Sequence, residues 1–450
     1  MNQLSESQAE RKIQDLMTSG RRRAGVWGLG YIGHSTFAAL VEANVSVVGF
    51  DIDPVRVSGG ASILTGEHHM SEATDDDRLI LRGDVIVHFV AVPTERRDQP
   101  SDEAITDVFR RILNAVADGR QPRGVLVVVE STLAPGTTDG LLLPMITEAG
   151  LVPDEDVLVA LAPRRDWLTF GRDGLRTLDR VFGGIGPRSS ALARVFLSLM
   201  TDTLHEARTH VEAELVKCVE NAYRHVEVTL ANQLTLAFPH VDMVDVLRLA
   251  GTKWNMSEYH PSFGTGGYCV PLAGRYLLQG TGHPEELTLV SQALTTDDGI
   301  RKRVIESVAD AGPVLILGLA YKGNVKVATL SPTIAMARRL RELAVEHAVY
   351  DPLYTPEEIL AVCGSNAPTD LVEAISSAAT IVVVADHDAF LAADFVAMLT
   401  VERSHALTVL DNYGMLAGVV WPEHVRYRRA GEPGWLLSVG GAAVLIEAAR

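Results

Sequence analysis

The residues best suited to chemistry cluster in three places, and the first is a cysteine. Residues 260–271 read His-Pro-Ser-Phe-Gly-Thr-Gly-Gly-Tyr-Cys-Val-Pro, which puts Cys269 directly behind a glycine-rich turn. Glycines there let backbone crowd a ligand. A helix beginning at this point would set the thiol at its N-terminus, where the helix dipole favours the nucleophilic thiolate. Cys218, followed by Val219 within a helical pattern, reads as core, and Cys363 falls in a loop region. Three cysteines, odd in number and far apart, with no Cys-x-x-Cys pair, argue against a disulfide framework or a structural zinc. A reduced compartment and no metal are expected.

The second place is a polar stripe. Glu214, Lys217, Asn221, His225 and Asn232 recur at helical offsets in a stretch, about 208–238, with few helix breakers. At about 100° per residue they share a sector of roughly 80°. The other faces carry Leu215, Val216, Val219, Ala222, Val226 and Leu230, so the helix is expected to be mostly buried. Buried polar groups need partners, water or a ligand. One reading aims Lys217 and Asn221 into a cleft, where they would hydrogen-bond a reacting alcohol or a developing oxyanion. The other is a solvated face or a polar dimer seam.

The third is a dinucleotide fingerprint, Gly28-Leu29-Gly30-Tyr31-Ile32-Gly33, between an apolar run and a helical pattern over His34–Glu42. The first glycine allows the tight turn, the second lets backbone approach a pyrophosphate, and the third lets helix and strand pack closely. Asp51 ends the next apolar run, 23 residues after Gly28. A carboxylate there accepts ribose hydroxyls and repels a 2′-phosphate, which favours NAD over NADP. Asp53 is a weaker candidate for that role, and Arg56 is a further cofactor-binding candidate close by. Pro93 and Thr94, and Ser131 and Thr132 within Glu130-Ser-Thr-Leu-Ala-Pro-Gly-Thr-Thr138, follow later strands, where ligands of open α/β sheets bind.

The elements that must hold these groups follow from periodicity. Short apolar runs alternate with helical stretches, as in βαβ units. Strands are expected at Ala24–Gly28, Val45–Phe50, Val85–Val90, Val125–Glu130, Val157–Ala162 and Arg180–Gly184. A second alternation begins at Val314–Gly318 and continues through His347–Asp351, Ile381–Val384 and Leu407–Asp411. The expected fold is α/β: two Rossmann-like, doubly wound domains joined by a long central helix and a helical middle. Its divisions are a polar tail with helical tendency (1–20), a NAD-binding domain (21–207), a helical domain carrying the Lys/Asn helix and the Cys loop (208–300), and a C-terminal Rossmann-like domain (301–450).

With 450 residues, 47% of them apolar, several cores can form. A net charge of −17 disfavours nucleic acid. Arg21-Arg22-Arg23 is too short a patch to reverse this and reads as an exposed lead-in to the first strand. No apolar run is long enough to span a bilayer, and the N-terminal residues lack a secretory pattern. No membrane partner and a cytoplasmic location are expected.

Together the motifs resemble the UDP-glucose/GDP-mannose dehydrogenase family, including its UDP-N-acetylmannosamine dehydrogenase branch. The likeness runs from about Ala24 to beyond Asp411. It is most specific at Ser131–Thr138, Glu214-Leu-Val-Lys-Cys-Val-Glu-Asn221, Gly264-Thr-Gly-Gly-Tyr-Cys269, Gly318-Leu-Ala-Tyr-Lys322 with Ser331-Pro332, and Tyr350-Asp-Pro352. The resemblance implies that C6 of a nucleotide sugar, with UDP the better expectation, is oxidised twice with two NAD. Lys217 and Asn221 would assist deprotonation and hold the oxyanion, while Cys269 would form a thiohemiacetal and then a thioester that water cleaves. It also implies a homodimer built on the helical middle, and a sugar nucleotide bound through Asn232, Phe263, Gly264, Gly266 and Lys322.

Departures from the family pattern are concentrated where charge matters. Pro163 is followed by Arg164 and Arg165 where Pro-Glu-Arg is usual, and Ala273 stands where an Asp follows the cysteine by four residues. Both missing acids help handle the hydrolytic water. Arg164 and Arg165 are instead expected to bind an anionic sugar or phosphate. Thr329-Leu330, Asn412-Tyr413 and the Lys253-Trp254 neighbourhood each lack an expected arginine. His225, Glu214 and Glu130 are candidate replacement bases. Alternatives are a two-electron oxidoreductase or epimerase of the same family, and a non-enzymatic sugar-nucleotide or NAD sensor.

Overall fold

The computed structural model describes Met17 and residues 19–64, 71–165, 173–309 and 312–436. The helical tendency of the N-terminal tail therefore falls almost wholly outside the described residues. The chain divides into two compact units: the chain through Glu220 with Arg275–Pro284, and Asn221–Gly274 with everything from Glu285 onward.

The first unit is built on eight strands: β1 (Arg23–Trp27), β2 (Val47–Phe50), β3 (Glu72–Thr74), β4 (Val85–Val90), β5 (Val125–Val129), β6 (Val157–Leu161), β7 (Arg180–Gly184) and β8 (Leu204–Glu206). Their order is β8-β7-β6-β5-β4-β1-β2-β3. All neighbours pair in parallel except β6 and β7, which run antiparallel. This corrects the uniform parallel pattern expected from the apolar runs. Strands β3 and β8 escape the sequence reading, because three residues are too few for a period to show.

Val125, Val127 and Val129 pack on one face of the sheet with the helix Glu103–Ala117, and Leu126 and Val128 on the other with helix α1 (Tyr31–Glu42). Burial on both faces is why these strands read as unbroken apolar runs. Arg23 is buried rather than exposed, paired with Glu72 at 2.7 Å and Asp84 at 2.9 Å.

The second unit carries five parallel strands: β9 (Val314–Leu317), β10 (His347–Tyr350), β11 (Thr380–Val383), β12 (Leu407–Asp411) and β13 (Val425–Arg429), in the order β10-β9-β11-β12-β13. Strand β13, Val-Arg-Tyr-Arg-Arg, also escapes the sequence reading; it is an edge strand, and its charges hide the β pattern. Cys363 is not in a loop. It is buried at the last position of the helix Pro356–Cys363, with its thiol directed at the Ile359 carbonyl.

Three further helices matter. They are α2 (His210–Ala237), α3 (Cys269–Gly280) and α4 (Thr288–Ala309). Helix α2 is capped by the Thr209 hydroxyl, which accepts from the Glu212 N–H, and it stops before Pro239. Its burial excludes the solvated-face reading of the stripe, and its apolar faces are only partly covered. The polar stripe is inside, while Val219, Tyr223 and Leu230 are 51%, 66% and 52% exposed. Among the described residues, no helix is long and apolar enough to cross a membrane.

Candidate functional site

The strand order of the first unit reverses beside β1 and β4, so their C-terminal ends open a crevice. Gly28 leaves β1 at φ +84°, and a Cβ there would meet the Ala91 carbonyl at 2.6 Å. A Cβ on Gly33 would come 1.7 Å from the Gly28 oxygen, so helix and turn touch backbone to backbone. No side chain caps the Gly30 end of α1, and a Cβ on Gly30 would find only Arg56, at 3.6 Å. That end is an open cradle of N–H groups suited to a pyrophosphate.

Asp51 takes the Leu29 N–H at 2.7 Å and the Asp53 N–H at 2.9 Å, and Arg56 approaches it at 3.7 Å. Asp53 caps the helix Pro54–Ala61 instead. Tyr31 is exposed and Ile32 half-buried at the mouth of the turn.

Across the crevice, Thr94 donates its hydroxyl to the Thr132 carbonyl at 2.6 Å, and Ser131 donates to the Val92 carbonyl at 2.7 Å. Pro93 lies exposed between them. Tyr276, which sequence reasoning missed, donates to the Thr94 carbonyl at 2.7 Å. Nothing in the pattern Leu-Ala-Gly-Arg-Tyr singles it out, because its partner is distant in sequence.

The stripe on α2 separates into satisfied and unsatisfied groups. Glu214 accepts from the Gly136 N–H, the Thr138 N–H and the Thr138 hydroxyl, so it closes a turn. Cys218 packs against the Leu133 carbonyl, and burial pushes its thiol up to about 12. Lys217 and Asn221, by contrast, are 8% and 7% exposed and have no hydrogen-bond or ion-pair partner among the described residues. Neither the Lys217 ammonium nor the Asn221 amide is among the fully enclosed atoms that lack a partner, so both keep contact with solvent and stand open to a ligand.

Arg164 is buried beneath α1. It donates to the Thr36 hydroxyl at 2.5 Å and the Ser35 hydroxyl at 2.8 Å, with Glu130 at 3.7 Å. Glu130 also pairs with Arg180 at 2.6 Å. Arg165 is held by Glu220 at 2.6 Å and the Asp179 carbonyl at 3.1 Å. The described contacts of both arginines are with protein groups of the first unit. Neither Glu130 nor Glu214 is left over as a base.

In the second unit, the residues before Cys269 are held one after another. The Asn232 amide oxygen takes the Ser262 N–H at 2.7 Å, the Asn412 oxygen takes the Phe263 N–H at 2.7 Å, and the Thr329 carbonyl takes the Gly267 N–H at 2.8 Å. Asn232 and Phe263 are fully buried, and the Phe263 ring stacks on Trp435 at 5.9 Å. Their side chains serve the loop rather than an open surface.

Gly264, at φ +110°, lies against Arg301, and Gly266 lies against Tyr321. Cys269 itself is exposed and begins α3, as the glycine turn implied. At the end of β9, Asp351 accepts from the Leu319 and Ala320 N–H groups at 2.8 and 2.9 Å, echoing Asp51 in the first unit. Burial alone would raise the Asp351 pKa, but hydrogen bonds from His387 and backbone outweigh it and hold the carboxyl below its usual range. Lys322 is half-buried on the same loop.

A sheet whose first six strands are ordered 3-2-1-4-5-6, with a glycine turn at the switch point and an acid following the second strand, defines a dinucleotide-binding domain. Three family models match the chain in order: the NAD binding domain of the UDP-glucose/GDP-mannose dehydrogenase family over residues 22–198, its central domain over 211–298, and its UDP binding domain over 315–417. The chain belongs to that family, and it is an NAD-dependent oxidoreductase acting on a nucleotide sugar.

It is 28% identical over 393 residues to UDP-N-acetyl-D-mannosamine dehydrogenase of Methanocaldococcus jannaschii, covering 82% of this chain and 86% of that one. It is 25% identical over 365 residues to UDP-N-acetyl-D-glucosamine 6-dehydrogenase of Pseudomonas aeruginosa, covering 75% and 84%. The solved structure of the UDP-D-ManNAc dehydrogenase of Pyrococcus horikoshii shares the fold, with a TM-score of 0.76 at 24% identity over 91% of this chain and 99% of that one.

Proposed function

We propose that this chain oxidises C6 of a UDP-linked N-acetylhexosamine to the uronic acid in the cytoplasm, in two hydride transfers. Bound NAD supplies the chemistry of accepting each hydride. Lys217 and Asn221 act on the oxygen: the amide orients the C6 hydroxyl, and the lysine relays its proton as the first hydride leaves. Cys269 adds to the resulting aldehyde, and the tetrahedral alkoxide so formed is held by the same amide and ammonium. Loss of the second hydride gives a thioester on Cys269, and water releases the carboxylate and restores the thiol. The sum is one alcohol, two NAD and one water giving one carboxylate, two NADH and three protons.

The observation that carries this reading is the pair Lys217 and Asn221, buried on one face of α2 with no partner among the described residues. The exposed apolar residues on that helix support a homodimer. The test is the stoichiometry of NADH per UDP-N-acetylmannosamine or UDP-N-acetylglucosamine consumed, with the product weighed by mass spectrometry. Two NADH and an acid are expected, and Cys269→Ser should stop the reaction after one.

A second reading stops at two electrons. It is favoured by Arg164 and the buried Ala273 at the positions of the expected acids, and by the full engagement of Glu130 and Glu214. One NADH with an aldehyde or an altered sugar would decide for it.

A further inference from the structure

Four side chains meet behind the cysteine loop, all within the second unit. The Asp297 carboxylate of α4 is fully buried, and Thr265 grips both of its oxygens: the backbone N–H donates to Oδ1 at 2.8 Å and the hydroxyl to Oδ2 at 2.9 Å. Arg301, one turn further along α4, donates to Oδ2 at 2.5 Å. His225 of α2, also buried, brings Nε2 to 3.4 Å from the Thr265 hydroxyl and 3.8 Å from Oδ2. Burial alone would raise the Asp297 pKa, but His225, Arg301 and the Thr265 N–H together lower it.

We infer that His225 and Asp297 are positioning residues for the thiol: they lock Thr265, and through it the segment Gly264–Cys269, in the conformation that presents Cys269. This rests on the reading of Cys269 as the nucleophile. Thr265 is four residues from Cys269, a span of at most about 14 Å when extended. Its neighbours are packed too closely to compensate, since Gly264 lies on Arg301 and Gly266 and Gly267 on Tyr321. The lock joins α2, α4 and the loop through one carboxylate, so removing it frees the loop at its centre while Ser262, Phe263 and Gly267 stay tied. Neither the polar stripe nor the glycine motif announces this role, which exists only where α2 and α4 meet.

A lock of this kind affects the two oxidations unequally. Removing the first hydride needs no thiol, whereas the second needs Cys269 in bonding distance of the aldehyde carbon. An error of about 1 Å in such placement costs on the order of 10²-fold. The expected effect of Asp297→Asn, Thr265→Val and His225→Leu is therefore release of aldehyde, trapped with semicarbazide, and a fall of about 10- to 100-fold in the second NADH relative to the first. Thr265→Ser and His225→Gln, which keep a hydroxyl and an N–H donor, should recover most of it.

Hydrogen exchange of the full-length protein reads the lock without turnover. The peptide containing Thr265 should lose protection in Asp297→Asn, while NAD affinity and far-UV circular dichroism stay as in the parent. Equal loss of both hydride steps, or an unchanged exchange rate in the loop, would overturn the inference. If instead the parent enzyme makes one NADH per sugar, or Cys269→Ser still makes two, the nucleophile reading fails. The exchange measurement then still decides whether Asp297 holds the loop.

Discussion

Arg164→Glu is the substitution that the family pattern invites, since it restores a carboxylate after Pro163, and the structure predicts that it will harm the protein instead. Arg164 faces Glu130 at 3.7 Å, with both side chains essentially inaccessible to solvent. A second carboxylate about 4 Å from the first, at an effective dielectric of about 20, is repelled by roughly 4 kcal/mol. Its escape is to take up a proton. From an ordinary pKa of about 4.3, that costs about 1.4 × 2.7, or roughly 4 kcal/mol at pH 7.

Either way the electrostatic loss saturates near 4 kcal/mol at pH 7. Because the folded-state pKa of the introduced carboxyl would be raised, stability is retained below the unfolded pKa and lost as pH climbs. At pH 5 the protonation cost is only about 1 kcal/mol. The lost hydrogen bonds to Ser35 and Thr36 weigh equally at both pH values. Urea unfolding followed by tryptophan fluorescence should thus show a gap from the parent about 3 kcal/mol wider at pH 7 than at pH 5. No gain of uronic acid is expected. A variant as stable as the parent at pH 7, making more acid, would refute the assignment of Arg164 to the scaffold.

His88 gives an independent pH signature. Burial pushes its pKa down to about 4, the Trp27 indole donates to Nδ1 at 3.1 Å, and Gln121 lies 3.0 Å from Nε2. The unfolded chain takes up a proton below about pH 6.5 while the folded chain does not, so stability falls from there down to about pH 4. By pH 4.5 the loss is about 2.5 kcal/mol, and it should be absent from the pH dependence of His88→Phe. Gly33→Ala would drive a methyl into the Gly28 carbonyl, 1.7 Å away. Titration should show NAD binding weakened by about 10²-fold, with the second unit's unfolding unchanged. Tyr223→Asp puts a charge among the exposed apolar residues of α2; on the homodimer proposed above, sedimentation should report a dimer for the parent and a monomer for this variant.

The first glycine turn, Asp51 and most strands are legible in the sequence because local pattern and fold agree: each is specified by residues a few positions apart. The three-residue strands and β13 are not, since edge strands carry little periodicity and β13 is cationic. Periodicity identifies the polar stripe as a face yet leaves open whether it is buried, because it reports that α2 has two faces without saying which one meets the protein. The inside face is the polar one because Glu214, His225 and Asn232 each have a specific buried partner in a distant segment, at Thr138, Thr265 and Ser262. Those partners lie 30 to 76 residues away in sequence, beyond any window.

The same limit decides how the unusual charges should be understood. Read singly, Arg164 looks like a ligand for an anion, Glu130 and Glu214 look like spare bases, and His225 looks like a general base. Read with their partners, three of the four are anchored in the scaffold: Arg164 and Glu130 with Arg180 beneath α1, and Glu214 at the turn it closes. His225 faces Thr265 and Asp297. What the partnering leaves over on the stripe is Lys217 and Asn221. The helix gives Glu214 and His225 protein partners and engages Asn232 through its oxygen alone, its Nδ2 being enclosed without a partner, while Lys217 and Asn221 have none among the described residues. The accounting of hydrogen bonds thus separates groups that serve the scaffold from groups open to a ligand, and the proposed chemistry on Lys217 and Asn221 is added to it by the motif likeness.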